Sequence, residues 1–325
     1  MGEARCRFKQ FGWQGLCFEI PEDWRFTVEG GNIRSGYLRL EAEGLCLELR
    51  WERIRRRPKP LSTIADELVK QLEKSKKVKK VIVRKRGKTR IFRHDALFVH
   101  LKSDVAAWVF LWYCNESNRF VTCQFSSKAV ARHPNLIRKQ VLKSLRCHGF
   151  SRNIWSVIGF YFETPTSFEL KERKLAVGRT SLLFSREERS TFAEQRSEIL
   201  FECFSLANVR FEKLYESPGK WMEEYYLKEL RKRYRKLKLR ASRSTRIRTH
   251  KVAVKKGSAG SGIIWRKTAS FIVASWYCPD MNRMYAVTVS DQIKRPIIRC
   301  SVGEDFVDIF KDFFSSVNCH QASPA

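Results

Sequence analysis

The stretch Trp112-Tyr-Cys-Asn-Glu-Ser-Asn-Arg119, WYCNESNR, returns 164 residues later as Trp276-Tyr-Cys-Pro-Asp-Met-Asn-Arg283, WYCPDMNR. The flanks agree as well. Upstream lie His94-Asp-Ala-Leu-Phe-Val and His250-Lys-Val-Ala-Val, and downstream each copy leads to an apolar-periodic segment closed by the same dipeptide, Cys147-His148 and Cys319-His320. At the front of each half, Trp13-Gln-Gly-Leu-Cys-Phe-Glu-Ile-Pro21 answers Trp155-Ser-Val-Ile-Gly-Phe-Tyr-Phe-Glu-Thr-Pro165. The spacing between equivalents grows from 144 (Pro21 to Pro165) through 156 (His94 to His250) and 164 to 172 (Cys147 to Cys319). An order kept at steadily widening spacing is that of a duplicated unit with insertions in its second copy. The chain therefore reads as two domains, 1–150 and 151–325, each of ordinary domain length.

Periodicity predicts the elements of one unit. Residues 16–20, 37–41 and 45–51 alternate or run apolar between glycine-containing turns, giving three short strands. Ser62 is the expected cap of a helix whose Ile64, Leu68 and Leu72 recur every four residues, with Asp66 and Glu67 in its first turn. Strands over 90–101, 107–114 and 120–125 follow, and a helix over 134–145 opens on Pro134. The expected class is α+β: two tandem pseudo-symmetric repeats, each an antiparallel sheet flanked by helices in the order βββ-α-βββ-α. In this scheme Trp-Tyr-Cys ends a strand, Asn115-Glu-Ser-Asn118 is a hairpin turn, and Asn-Arg begins the return strand. Trp112 and Trp276 are then core and Asn118 and Asn282 turn residues, while Arg119 and Arg283 at the hairpin tips are candidates for phosphate contact.

This order, opened by Phe18-Glu-Ile-Pro-Glu-Asp-Trp24, resembles the PsbP-like α/β sandwich, whose members often begin with a strand leading into Ile-Pro-x-x-Trp. The second half keeps only Thr164-Pro-Thr-Ser-Phe168 of that opening. The resemblance implies an antiparallel sheet flanked by helices and a role in binding or assembly without chemistry of its own.

With 43% apolar residues and nine Trp the chain has enough material for two cores, yet its net charge is +30. That charge is concentrated. Residues 74–93 hold eleven Lys or Arg and no acid, and residues 228–256 hold fourteen against the single Glu229. These two blocks occupy equivalent places, each from the end of a unit's first helix into its fourth strand. A solvated face in a heat-adapted protein interleaves Glu with Lys, whereas these blocks repel themselves unless an anion lies on them. Alternation in KKVIVRKR and RKLKLRASRSTRIR predicts extended ribbons, one face apolar and one cationic, reaching past the sheet as arms.

The expected partner is RNA, ribosomal RNA or that of another large ribonucleoprotein, held by phosphate and shape, since no helix-turn-helix, finger or RRM signature is present. The residues assigned to it are Lys76, Lys77, Lys79, Lys80, Arg84, Lys85, Arg86, Lys88 and Arg90 in the first block, and Arg231, Lys232, Arg233, Arg235, Lys236, Lys238, Arg240, Arg243, Arg246 and Arg248 in the second. Two such heads on one chain would clamp one RNA at two places or bridge two particles. DNA and anionic membranes are alternative partners for the same charge, the membrane reading needing an exposed apolar helix face for which Trp221-Met-Glu-Glu-Tyr-Tyr-Leu227 is the one suspect.

An enzyme is the competing class. None of the phosphate-loop, dinucleotide, nucleophile-elbow or zinc-protease motifs occurs, so no catalytic residue and no cofactor is assigned. His94 and His250, at equivalent positions, are the candidate general bases of an RNA-processing enzyme or nuclease subunit. Asp104, Glu116 and Asp280 lie near the hairpins as acids without a telling spacing for metal. The ten cysteines contain no C-x-x-C, so no metal site is assigned. A single ion held where Cys147-His148 and Cys319-His320 meet is the sharper but weaker idea, and disulfides Cys114–Cys147 and Cys278–Cys319 the stronger one. Few Asn, Gln and Met beside abundant Arg and Lys suggest heat adaptation, in which intracellular disulfides are permitted. No apolar run long enough to cross a membrane and no leader pattern in MGEARCRFKQ are found, so a cytoplasmic protein is expected.

Overall fold

Strict alternation in 45–53, Leu-Cys-Leu-Glu-Leu-Arg-Trp-Glu-Arg, buries Leu45, Leu47, Leu49 and Trp51 and turns the residues between them toward solvent. Strands of this kind dominate. The computed structural model describes residues 7–319 apart from 33, 55–57, 75–80, 132, 158, 191–192, 213, 235–236, 241–242, 248, 262–264 and 297–304. The fold is α+β, mostly antiparallel sheet with few helices, and it divides into two compact units, Met1–Ile158 and Gly159–Ala325.

In the first unit, β1 (Phe8–Trp13) and β2 (Leu16–Pro21) form a hairpin. The main sheet is built from β3 (Arg25–Asn32), β4 (Ser35–Ala42), β5 (Leu45–Arg53), β6 (Ile82–Ile91), β7 (His94–Lys102), β8 (Ala106–Cys114) and β9 (Arg119–Ser127), in the spatial order β3-β4-β5-β9-β8-β7-β6. Helix α1 (Leu61–Lys74) lies between β5 and β6 in sequence and covers one face, packing Ala65 on Val99, Leu101, Val109 and Leu111. The other face carries Trp51, Trp108 and Trp112, which β1 and α2 (Pro134–Ser144) cover. There the Trp51 indole donates to Gln14 Oε1 at 3.0 Å, and the Arg138 guanidinium of α2 lies 4.0 Å over Trp108. Gly36 lets this layer close down: a Cβ there would stand 2.3 Å from Gln14 Oε1 and 2.6 Å from the Trp13 ring. Strand β10 (Arg152–Val157) completes the unit.

The second unit contains β11 (Phe160–Pro165), β12 (Glu169–Ala176), β13 (Arg179–Arg189), β14 (Glu194–Ser205), β15 (Lys238–Leu239), β16 (Arg243–Ile247), β17 (His250–Ser261), β18 (Trp265–Cys278) and β19 (Arg283–Pro296). Its sheet runs β12-β13-β14-β19-β18-β17-β15, with β16 also pairing β17, the same pattern of strand neighbours as the first. After a π-helical turn (Asn208–Glu212), helix α3 (Pro218–Trp221), a second π-helical turn (Met222–Tyr226) and α4 (Leu227–Arg233) run on without a break. They bury Trp221, Met222, Tyr226 and Leu230 against Leu200, Phe204, Phe271 and Val273. On the opposite face α5 (Asp305–Ser316) sets Phe313 against Phe162, with ring centroids 5.1 Å apart.

Several expectations change. Five strands, not three, precede the first helix of unit 1, and four precede the second. The expected strand 90–101 is two strands, because the chain turns at Phe92, whose φ is 53°. The first turn of α1 begins at Leu61, so Ser62 is inside the helix and Asp66 and Glu67 fall in its second turn. The extended ribbon expected in KKVIVRKR runs on to Ile91 as strand β6, IVRKRGKTRI, at the edge of the sheet.

Candidate functional site

The first basic block becomes the tail of α1 and the whole of β6, which is exposed over nearly its full length. Arg84, Lys85, Lys88 and Arg90 point into solvent and make no ion pair among the described residues. Arg86 is different: it binds Asp66 Oδ1 at 2.5 Å and the Ser62 carbonyl at 2.9 Å, tying β6 to α1. Because β6 pairs with β7 from Ile82 to Ile91, it is a sheet edge and not an arm reaching past the fold. Ile82 and Val83, expected on an apolar face, are themselves exposed. Lys76, Lys77, Lys79 and Lys80 lie outside the described residues.

The second block is split between a helix end and two short strands paired with β17. Arg231, Lys238, Arg240 and Arg246 are exposed without an ion pair among the described residues. Lys232 pairs with Glu229 at 2.6 Å and Arg233 with Glu172 at 3.2 Å. Arg235, Lys236 and Arg248 lie outside the described residues, as does the side chain of Arg243.

Neither hairpin arginine stands at a tip. Arg119 turns inward, donating to the Gln14 carbonyl at 2.6 Å with its guanidinium 4.0 Å over Trp51. Arg283 turns inward too and hydrogen-bonds the buried Tyr285 hydroxyl. The turn residues are as expected: Asn118 and Asn282 have φ of 50° and 49°, and Trp112 and Trp276 are fully buried. The aromatic residues of Trp221–Leu227 are likewise inside, with Trp221 and Tyr226 in the core, so this helix offers no apolar face to a membrane. Among the described residues no helix is long and apolar enough to cross one.

The constellation that sequence reasoning missed lies at the end of the repeated motif. In β7 and β8 Ala96 pairs with Trp112, so two residues further along the register His94 faces Cys114. Reciprocal backbone bonds between Cys17 and Arg146, 3.0 and 2.8 Å, then pin the segment after α2 so that Cys147 and His148 arrive at the same point. His94 Nε2 lies 3.1 Å from Cys147 Sγ, and His148 Nδ1 lies 3.3 Å from Cys114 Sγ and 3.5 Å from Cys147 Sγ. One nitrogen or sulfur from each of the four residues lies within 4.8 Å of all the others. The far nitrogen of His148, Nε2, meets Glu116 Oε1 at 3.0 Å. Both sulfurs are thiols. Their nearness lowers the pKa of Cys114 and raises that of Cys147.

The second unit builds the same arrangement. Val252 pairs with Trp276, so His250 faces Cys278, and bonds of 2.8 and 2.7 Å between Tyr161 and Asn318 fix the approach of Cys319. His250, Cys278 and Cys319, all buried, again bring their ligand atoms within 4.8 Å of one another. The next residue, His320, lies outside the described residues. Cys147 and His148 gather partners within the first unit, and Cys319 within the second. One earlier expectation is thereby corrected. The sulfurs of Cys114 and Cys147, and of Cys278 and Cys319, are near each other as thiols and not as disulfides. His94 and His250, the candidate general bases, each lie beside cysteine sulfur.

Other acids are absorbed by structure. Buried Glu198 accepts from Tyr234 at 2.8 Å and Gln292 at 3.1 Å, and buried Glu202 pairs with Arg179 at 2.7 Å. In a cleft of about 580 Å³, Arg196, Arg233 and Lys294 are paired with Glu198, Glu172 and Glu194.

No protein-family model matches the chain, and no curated protein matches it. Among solved structures it is similar to cyanobacterial PsbP (CyanoP) from Synechocystis sp. PCC 6803, at 10% identity and a TM-score of 0.36 over 46% of this chain and 96% of that one. It is also similar to the apo immunity protein TplEi of the T6SS from Pseudomonas aeruginosa, at 7% identity and a TM-score of 0.29 over 97% and 98% of the two chains.

Proposed function

We propose that the chain is a non-enzymatic RNA-binding protein, an internally duplicated cytoplasmic factor of the ribosome or another ribonucleoprotein, that grips phosphates with its two basic blocks. The observation supporting this reading is β6: Arg84, Lys85, Lys88 and Arg90 are exposed on one sheet edge and make no ion pair among the described residues. Four like charges along one strand raise the energy of the free protein, and a polyanion laid along the edge relieves that repulsion while releasing its own counterions. Arg231, Lys238, Arg240 and Arg246 supply a second unbalanced set on the other unit. Recognition is by charge and shape, which suits a large folded RNA. Sedimentation of a native lysate with and without RNase, at low and high salt, tests it. The protein should travel with ribonucleoprotein particles and be released by RNase or by salt. Migration as free protein under every condition rules the reading out.

A further inference from the structure

We propose that His94, Cys114, Cys147 and His148 ligate one Zn2+ ion in the first unit, and that His250, Cys278 and Cys319 are ligands of a second zinc site in the other. A tetrahedral S2N2 zinc site, with Zn–S of about 2.3 Å and Zn–N of about 2.0–2.1 Å, has ligand atoms about 3.3–3.8 Å apart. The three separations of 3.1, 3.3 and 3.5 Å in the first cluster are already close to that, without an ion to draw the atoms together. Two soft sulfurs and two imidazoles select zinc over the oxygen-seeking cations. Four protein ligands also leave no open position, so the site is structural.

Three further observations point to a ligand set. His148 offers Nδ1 to the sulfurs, and its Nε2, buried without an aligned hydrogen bond, stands 3.0 Å from Glu116 Oε1, within reach of the carboxylate–histidine pairing that orients metal-bound imidazoles. The position equivalent to Glu116 in the second copy of the motif holds another acid, Asp280. And the same construction is made twice by independent backbone devices: the β7–β8 and β17–β18 registers oppose His to Cys, and the Cys17–Arg146 and Tyr161–Asn318 bridges deliver the second Cys. A core with no ligand to hold has no need of one histidine and two cysteines converging at the same place in both units.

On binding, Zn2+ takes both cysteines as thiolates, so their protons pass to solvent and the filled site is electrically neutral. The ion joins the segment after α2 to the open end of the β7–β8 hairpin. This reading is independent of RNA binding.

The experiment is metal analysis of the full chain purified under reducing conditions, followed by exchange with Co2+. Two zinc equivalents per chain are expected, falling to one in Cys114→Ser and to one in Cys278→Ser. The cobalt protein should show the intense visible bands of tetrahedral coordination with thiolate charge transfer. Glu116→Gln, at an exposed side chain, should keep the fold and weaken zinc 10–100-fold in a chelator competition. If Cys114→Ser does not fold, His148→Cys serves instead: it should retain the metal and strengthen the charge-transfer band. Less than one equivalent of Zn2+ or Co2+ bound by the reduced wild-type chain overturns the proposal, as does binding that Glu116→Gln and Cys114→Ser leave unchanged. One equivalent that Cys278→Ser does not reduce overturns the second site.

Discussion

Replacing Arg84, Lys85, Lys88 and Arg90 together by Gln removes the unbalanced charge of β6 while leaving its backbone pairing to β7 intact. The magnitude follows from counterion release. If all eight unpaired cations of the two units contact phosphates, the logarithm of the binding constant falls against the logarithm of salt with a slope of about −6, at roughly −0.7 per contact on single strands. Removing four brings the slope to about −3. Between 50 and 200 mM salt, affinity should therefore drop about 2,000-fold for the wild type and only about 50-fold for the variant. Fluorescence anisotropy on a labelled structured RNA over a salt series measures both slopes. The side chains are exposed, so thermal unfolding should shift by no more than about 0.5 kcal/mol. A control variant, Arg86→Gln with Arg233→Gln, removes arginines already held by Asp66 and Glu172 and should change the slope by less than one quarter as much. Equal slopes for the wild type and the quadruple variant, or a wild-type slope shallower than about −2, would refute the reasoning.

Other expectations test the local structure. Arg119→Ala should cost about 1.5–3 kcal/mol in urea unfolding, from the charged hydrogen bond to Gln14 and the stacking on Trp51, and leave RNA affinity unchanged. Loss of affinity at unchanged stability would return Arg119 to the binding surface. Asn118→Ala should lower stability by about 1–2 kcal/mol through its left-handed backbone, and Asn118→Gly should restore it. Asn282→Gly should not recover in the same way, because the Asn282 side chain also exchanges hydrogen bonds with Asn208 at 2.7 and 2.9 Å. His100 has a pKa below the ordinary histidine value, chiefly from burial and then from Arg138 and Arg84. In the window between that lowered pKa and about 6.5 the unfolded chain binds more protons, so stability falls as pH falls through it. His100→Gln should flatten the melting temperature across that window, and an unchanged slope would show that another group titrates there.

Much of the strand framework was legible because alternation is a local property. Leu45 to Trp51 and Ala107 to Cys114 declare themselves by their own side chains, and the two WYC copies mark equivalent hairpins. Asn118 and Asn282 were readable as turn residues for the same reason: the conformation is set within the tetrapeptide. Strand β3 was not, since an edge strand is stabilised by one neighbour's backbone and needs no apolar stripe.

The sequence by itself determined that similar segments occur twice in one order, that the chain is α+β, and that 24 of its 30 net charges fall in 49 residues. Composition and periodicity suffice for these because each depends on residues near one another in the chain. Only the tertiary structure decided which cations are free and which are already balanced, since Asp66 and Glu172 reach Arg86 and Arg233 across 20 and 61 residues. It alone decided, too, that His94, Cys114, Cys147 and His148 share one point. Two of those residues are brought face to face by a hairpin register and two by a bridge to Cys17, and register is set by hydrogen bonds between strands that no local spacing records.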